Sequence, residues 1–202
     1  MNVTVKICGV RSLEMAQAAT AAGADFLGFN FVPTSRRRIT PERATEIIHG
    51  LVRRPQIVGV FQDAPLETVN QTVRVVGLDF VQLHGDESPE YAAGVEAPVI
   101  KAVSVNGRPV SELMDEMRRY EVPYFLLDRT VQGQGVMIDF DTARQLAEAF
   151  DVFVAGGLTP SNVRDIVRLT KPFAVDVAGG IERGGHPDSR LIADFVRLAR
   201  TR

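Results

Sequence analysis

Short apolar runs rich in β-branched residues return roughly every 25 residues along this 202-residue chain, each followed by a segment with helical spacing. They fall near residues 3–8, 25–31, 56–61, 79–84, 98–103, 123–128, 151–155 and 172–177. Such alternation is that of βα units, which build a parallel sheet covered by helices. Several runs, among them Phe125-Leu126-Leu127 and Val152-Phe153-Val154, are apolar on both faces, as expected of strands buried on both sides. Eight units favour an α/β architecture closed into a (β/α)8 TIM barrel over an open doubly wound sheet. The chain is short for that fold, so its helices and loops must be lean. No linker, low-complexity tract or second core interrupts the pattern, and residues 1–202 are expected to form one barrel domain.

Helix entries carry their own signals. Thr40-Pro41-Glu42, Ser88-Pro89-Glu90 and Thr159-Pro160-Ser161 each set a capping hydroxyl before a proline suited to the first helical position. Leu13, Met15, Ala16 and Ala19, and later Leu191, Ile192, Phe195, Val196 and Leu198, recur at helical spacing and give each segment a face to lay on the sheet. The weakest unit follows residue 104, where Asn106-Gly107-Arg108 leads into Ser111-Glu112-Leu113-Met114.

Composition narrows the function. A net charge of -2 offers no general attraction for nucleic acid or an anionic membrane. One cysteine excludes an internal disulfide and any multi-cysteine metal site. The start, Met1-Asn2-Val3-Thr4-Val5-Lys6, lacks the apolar stretch of a secretion signal, and no run is long enough to span a bilayer. A cytoplasmic enzyme or binding domain is expected, as a monomer or homodimer.

In a barrel, chemistry gathers where strands end and βα loops begin. Cys8 closes the first run and is followed by Gly9. Free cysteines are usually small buried hydrophobes. Here, however, Lys6 lies two residues earlier on the same strand face, and an adjacent ammonium lowers a thiol's pKa. Ala155-Gly156-Gly157-Leu158-Thr159-Pro160 and Asp176-Val177-Ala178-Gly179-Gly180-Ile181 put paired glycines after the last two strands. They make tight turns, or they bring backbone amides close to a phosphate, and the second reading is favoured by their tandem occurrence at these strands. Arg36-Arg37-Arg38 in the second βα loop offers a fork for a carboxylate, with two of the three arginines expected to be merely solvated. Asp128 ends the sixth run and is either a cap or a half-buried proton donor. His84 ends the fourth run. A lone histidine there more often packs and hydrogen-bonds, and with only His49 and His186 elsewhere no metal cluster is expected.

Taken together, Lys6-Ile7-Cys8-Gly9, Gly23-Ala24-Asp25-Phe26-Leu27-Gly28-Phe29, Pro33-Thr34-Ser35-Arg36-Arg37, Val58-Gly59-Val60-Phe61, Val81-Gln82-Leu83-His84-Gly85-Asp86-Glu87, Leu126-Leu127-Asp128, Ala155-Gly156-Gly157-Leu158 and Ala174-Val175-Asp176-Val177 resemble phosphoribosylanthranilate isomerase of tryptophan biosynthesis, from end to end of the chain. The resemblance implies a (β/α)8 barrel with no metal and no cofactor. It also implies a small phosphosugar substrate and an Amadori rearrangement of N-(5-phosphoribosyl)anthranilate to the 1-deoxyribulose 5-phosphate product. By the same resemblance Cys8 is the general base, Asp128 the general acid, and Arg37 the residue that binds the anthranilate carboxylate. Asp176 contacts the substrate, Gly156, Gly157, Ala178 and Gly179 form the phosphate loops, and Lys6, Gln82 and His84 complete the expected substrate contacts. The thiol must then ionise while the acid keeps its proton, so the two pKa values must be pushed apart.

Two departures stand out. The family usually has Ser-Ser-Gly where this chain has Ala178-Gly179-Gly180, which keeps backbone amides but loses hydroxyls. The loop Arg129–Val136 is shorter than usual, with Val136 at the place of a lysine. Three rival readings follow: a Schiff-base aldolase using Lys101, another phosphosugar isomerase or epimerase, and a non-catalytic phosphosugar-binding barrel. An aldolase would require Lys101 to be desolvated at a strand end without a partner.

Overall fold

The computed structural model describes residues 3–105, 107–128 and 139–201. Eight parallel strands close into a barrel: β1 (Thr4–Cys8), β2 (Phe26–Asn30), β3 (Gln56–Phe61), β4 (Phe80–Leu83), β5 (Val99–Ser104), β6 (Tyr124–Asp128), β7 (Val152–Val154) and β8 (Ala174–Val177). β1 pairs with both β2 and β8, which completes the ring. Each of the eight apolar runs therefore coincides with one strand, to within two residues at either end, β5 reaching one residue beyond its run.

The helices between strands are α1 (Leu13–Ala22), α2 (Pro41–His49), α3 (Leu66–Val76), α4 (Pro89–Ala93), α5 (Val110–Met117), α6 (Phe140–Ala149), α7 (Val163–Thr170) and α8 (Ser189–Ala199). None exceeds 11 residues and α4 has only five, which is how so short a chain closes a barrel. Thr40 Oγ1 and Ser88 Oγ accept from Arg43 N and Tyr91 N, the caps expected before Pro41 and Pro89. The third expected cap fails. α7 begins at Val163, and Asn162 folds back instead, accepting from Thr159 N at 2.8 Å and donating to the Gly157 carbonyl at 3.0 Å. Its amide satisfies the turn that the threonine would otherwise have capped, so the helix starts three residues late. The weak fifth unit does form its helix, with Ser111 inside it rather than capping it. Asn106 and the loop Arg129–Val136 lie outside the described residues.

The core has two layers, because successive strand residues point alternately to the helices and into the barrel. Facing the helices, residues such as Ile7, Leu27, Leu83 and Leu127 pack with Leu113, Met117, Ile192 and Phe195. Facing inward, Phe26, Val58, Ile100, Leu126, Phe153 and Ala174 fill the barrel's middle. Phe80, Tyr124 and Phe173, all at N-terminal strand ends, plug the bottom, with the Tyr124 and Phe173 rings stacked at 4.6 Å. An aromatic floor leaves polar inward side chains only the opposite, C-terminal end. Beyond β8 a single 3₁₀ turn (Gly179–Ile181) leads into a two-stranded hairpin, β9 (Glu182–Arg183) and β10 (His186–Pro187). Among the described residues no helix is long and apolar enough to cross a membrane.

Candidate active site

A cavity of about 960 Å³ opens at the C-terminal end of the barrel. Cys8, the last residue of β1, faces it because Ile7 turns to the helices and its neighbours on either side turn inward. Gly28 on β2 makes the room. A Cβ there would sit 2.8 Å from Cys8 Sγ and 3.2 Å from Lys6 Nζ, closer than packed atoms tolerate.

Lys6 lies one inward position below Cys8, fully buried. The β1–β8 register sets its Cα beside that of Asp176, and Nζ donates to Asp176 Oδ1 at 3.0 Å. Burial alone would discharge the ammonium, but Asp176 and the thiol outweigh it and hold the Lys6 pKa above its ordinary value. Lys6 lies beneath the cavity wall, in contact with Asp176 and Cys8. One expectation is corrected here. The Cys8 thiol is pushed up, not down: burial dominates, and the neighbouring Asp176 counteracts part of what the Lys6 ammonium contributes. Removing the lysine strands a buried carboxylate. Lys6→Met is therefore expected to cost about 3–5 kcal/mol of stability in chemical denaturation, much of it recovered in the Lys6→Met/Asp176→Leu double variant. A loss below about 1 kcal/mol would show that the pair is not holding the barrel.

Asp128, ending β6, also lines the cavity. His84, at the end of β4, stands 3.1 Å from Asp128 Oδ2 through Nε2, and its Nδ1 is 2.9 Å from the Gln82 amide nitrogen. His84 and Gln82 thus face the cavity together and reach the acid, rather than packing into the outer layer. Gln82 is buried, and its Oε1 makes no hydrogen bond among the described residues.

Between β6 and β1 around the ring come β7 and β8, whose loops hold the paired glycines. Gly156 and Gly157 adopt left-handed conformations, φ 82° and 74°. A Cβ on Gly180 would collide with the Leu158 carbonyl, so the seventh and eighth loops meet backbone to backbone. Gly156, Gly157, Ala178 and Gly179 all border the cavity. Turning tightly and presenting backbone to a ligand are here the same property.

On the far side of β1, Arg37 and Arg36 line the wall while Arg38 is exposed and stands outside it. Arg37 is not waiting alone. Its Nε and Nη2 donate to Glu182 Oε1 and Oε2 at 2.7 and 2.9 Å, and Arg36 Nη2 donates to Oε2 at 3.1 Å. The sequence reading missed Glu182, because it lies 145 residues from Arg37 and meets it only through barrel closure. Lys101, the aldolase candidate, faces the helices between inward Ile100 and Ala102. It is buried against Glu87 at 2.9 Å and the Gly85 carbonyl, so it is neither at the cavity nor without a partner. No group of three or more metal-ligating side chains gathers among the described residues.

Around one rim, then, stand an acid, an anion cradle, a thiol and a guanidinium fork, in that order. The family model described as N-(5'phosphoribosyl)anthranilate (PRA) isomerase matches residues 5–198. A relative from Geobacter metallireducens, called N-(5'-phosphoribosyl)anthranilate isomerase, is 44% identical over 203 residues, covering 98% of this chain and 99% of its own. The solved phosphoribosyl anthranilate isomerase from Thermotoga maritima superposes with a TM-score of 0.89 at 36% identity, covering 98% of both chains. A structure of such an isomerase in complex with reduced 1-(o-carboxyphenylamino)-1-deoxyribulose 5-phosphate gives 0.87 at 35% identity, again over 98% of both.

Proposed function

Because the chain belongs to the N-(5′-phosphoribosyl)anthranilate isomerase family, we propose that its barrel mouth works as follows. The protein is the isomerase of tryptophan biosynthesis, converting N-(5-phosphoribosyl)anthranilate to 1-(2-carboxyphenylamino)-1-deoxyribulose 5-phosphate. Asp128, protonated, donates to the furanose ring oxygen as its bond to C1 breaks, leaving an iminium at C1. That cation acidifies the C2 proton, which the Cys8 thiolate removes to give an enolamine. Tautomerisation to the C2 ketone follows. Each positioned proton transfer contributes on the order of 10²–10⁴ in rate.

One observation carries this reading. Cys8 and Asp128 come from strands separated by β7 and β8, border the same cavity, and have the glycine loops between them. A phosphate seated on those loops sets the pentose between thiol and carboxyl. Arg37, beyond β1, then receives the anthranilate carboxylate. Arg37 and the loops supply binding common to ground and transition states, so their loss raises KM more than it lowers kcat. The protein acts in the cytoplasm, as a monomer or a homodimer. Of the solved relatives, the Thermotoga maritima enzyme is described as dimeric.

The purified protein is expected to turn over phosphoribosylanthranilate and to restore growth to a tryptophan auxotroph lacking the isomerase. Binding of the reduced product analogue without turnover would instead identify a phosphosugar-binding barrel.

A further inference from the structure

We propose that Glu182 is a positioning residue that aims Arg37 at the substrate's carboxylate. The inference rests on the reading of Arg37 as the anthranilate-binding arginine. A guanidinium has two edges able to grip a carboxylate in parallel, one through Nε and Nη2 and one through Nη1 and Nη2. Glu182 occupies the first edge with both oxygens, at 2.7 and 2.9 Å. Nη1 makes no hydrogen bond among the described residues, so the second edge is available on the cavity wall. Two guanidiniums and one carboxylate leave one positive charge, which matches one further carboxylate.

The mount is rigid at both ends. The Glu182 side chain is 9% exposed, and the antiparallel pairing of Glu182 with Pro187 and the Asp188 N–H bond to the Ile181 carbonyl (2.9 Å) hold its backbone. The Arg37 stem lies in a slot made by missing side chains. A Cβ on Gly9, itself at φ 79°, would collide with Arg37 Cδ, and one on Gly179 would sit 3.3 Å from Arg37 Nη2. Gly179 therefore gives the guanidinium space in addition to bordering the cradle, a role that a serine's Cβ would crowd. Glu182 hangs from the same loop as Ala178 and Gly179, so the carboxylate fork and the anion cradle are set at a fixed spacing.

Calorimetry with two probes, the reduced product analogue and its counterpart lacking the aryl carboxylate, tests this alongside steady-state kinetics. Glu182→Ala is expected to raise KM and the Kd of the carboxylate-bearing analogue about tenfold, with kcat within about threefold and the other Kd unchanged. Glu182→Gln, which keeps one acceptor oxygen, is expected to lose about threefold and supplies the same comparison if the alanine variant fails to fold. Equal losses for both analogues would make Glu182 a loop support only. Tighter binding of the carboxylate analogue would make it a competitor for Arg37, and an unchanged KM would remove any role, each outcome overturning the proposal. If the unsubstituted protein fails to turn over phosphoribosylanthranilate, the functional reading falls, while the paired affinities still report on Glu182.

Discussion

Cys8→Ala is expected to lower kcat by about 10²–10⁴ while KM stays within a few-fold. Sulfur is the only group at the end of β1 able to take a proton from a pentose seated on the seventh and eighth loops. The substitution removes little volume and leaves the Lys6–Asp176 ion pair in place. The pH dependence follows from the direction of the thiol's shift. Burial raises the Cys8 pKa, more than the Lys6 ammonium lowers it, so the working thiolate is a minority at neutral pH. A base acts only when deprotonated. The kcat/KM profile of the unsubstituted enzyme is therefore expected to contain an ionisation above the ordinary thiol value that disappears in Cys8→Ala. Against its small population, a thiolate with a raised pKa is the stronger base, which suits a carbon acid. Near-normal turnover by Cys8→Ala, or a profile in that variant that keeps the same ionisation, would end the assignment.

That profile also marks where sequence reading stopped. Strand alternation put Lys6 and Cys8 on one face, and the structure agrees, since both share the space beside Gly28. The sign of the thiol shift was not legible, because it depends on burial and on a third group. Asp176 reaches Lys6 across 170 residues, through the register of the first strand with the last. The same closure hid Glu182, whose two-residue strand is too short to show any alternation. Local signals did well where the physics is local: the Thr40 and Ser88 caps form as written. The failed cap at Thr159 is equally local, but there a second side chain, Asn162, turns back to accept from the Thr159 N–H, and the Thr159 hydroxyl pairs with Ser161 instead. Periodicity thus reveals which residues stand at the rim. Only the closed ring decides which of them touch.

Asp128→Asn is expected to reduce kcat by about 10²–10⁴ with the Kd of the reduced product analogue within about threefold of the unsubstituted value. Asparagine keeps the carboxyl's shape and an oxygen for His84, but it has no acidic proton to give the departing ring oxygen. The partners around Asp128 explain why the loss should fall on kcat. The Gln82 amide nitrogen lies 2.9 Å from Nδ1, and the tautomer that accepts there offers an Nε2 proton to Asp128 Oδ2 at 3.1 Å. A donor in that place stabilises the carboxylate that appears once the proton has left, so His84 favours the product side of ring opening. The analogue is already open and needs no proton, and its binding should not register the change. If kcat instead stays within tenfold while the analogue still binds, the proton donor is not Asp128, and His84, hydrogen-bonded to it at 3.1 Å, becomes the candidate. His84→Gln would then show the collapse expected here of Asp128→Asn.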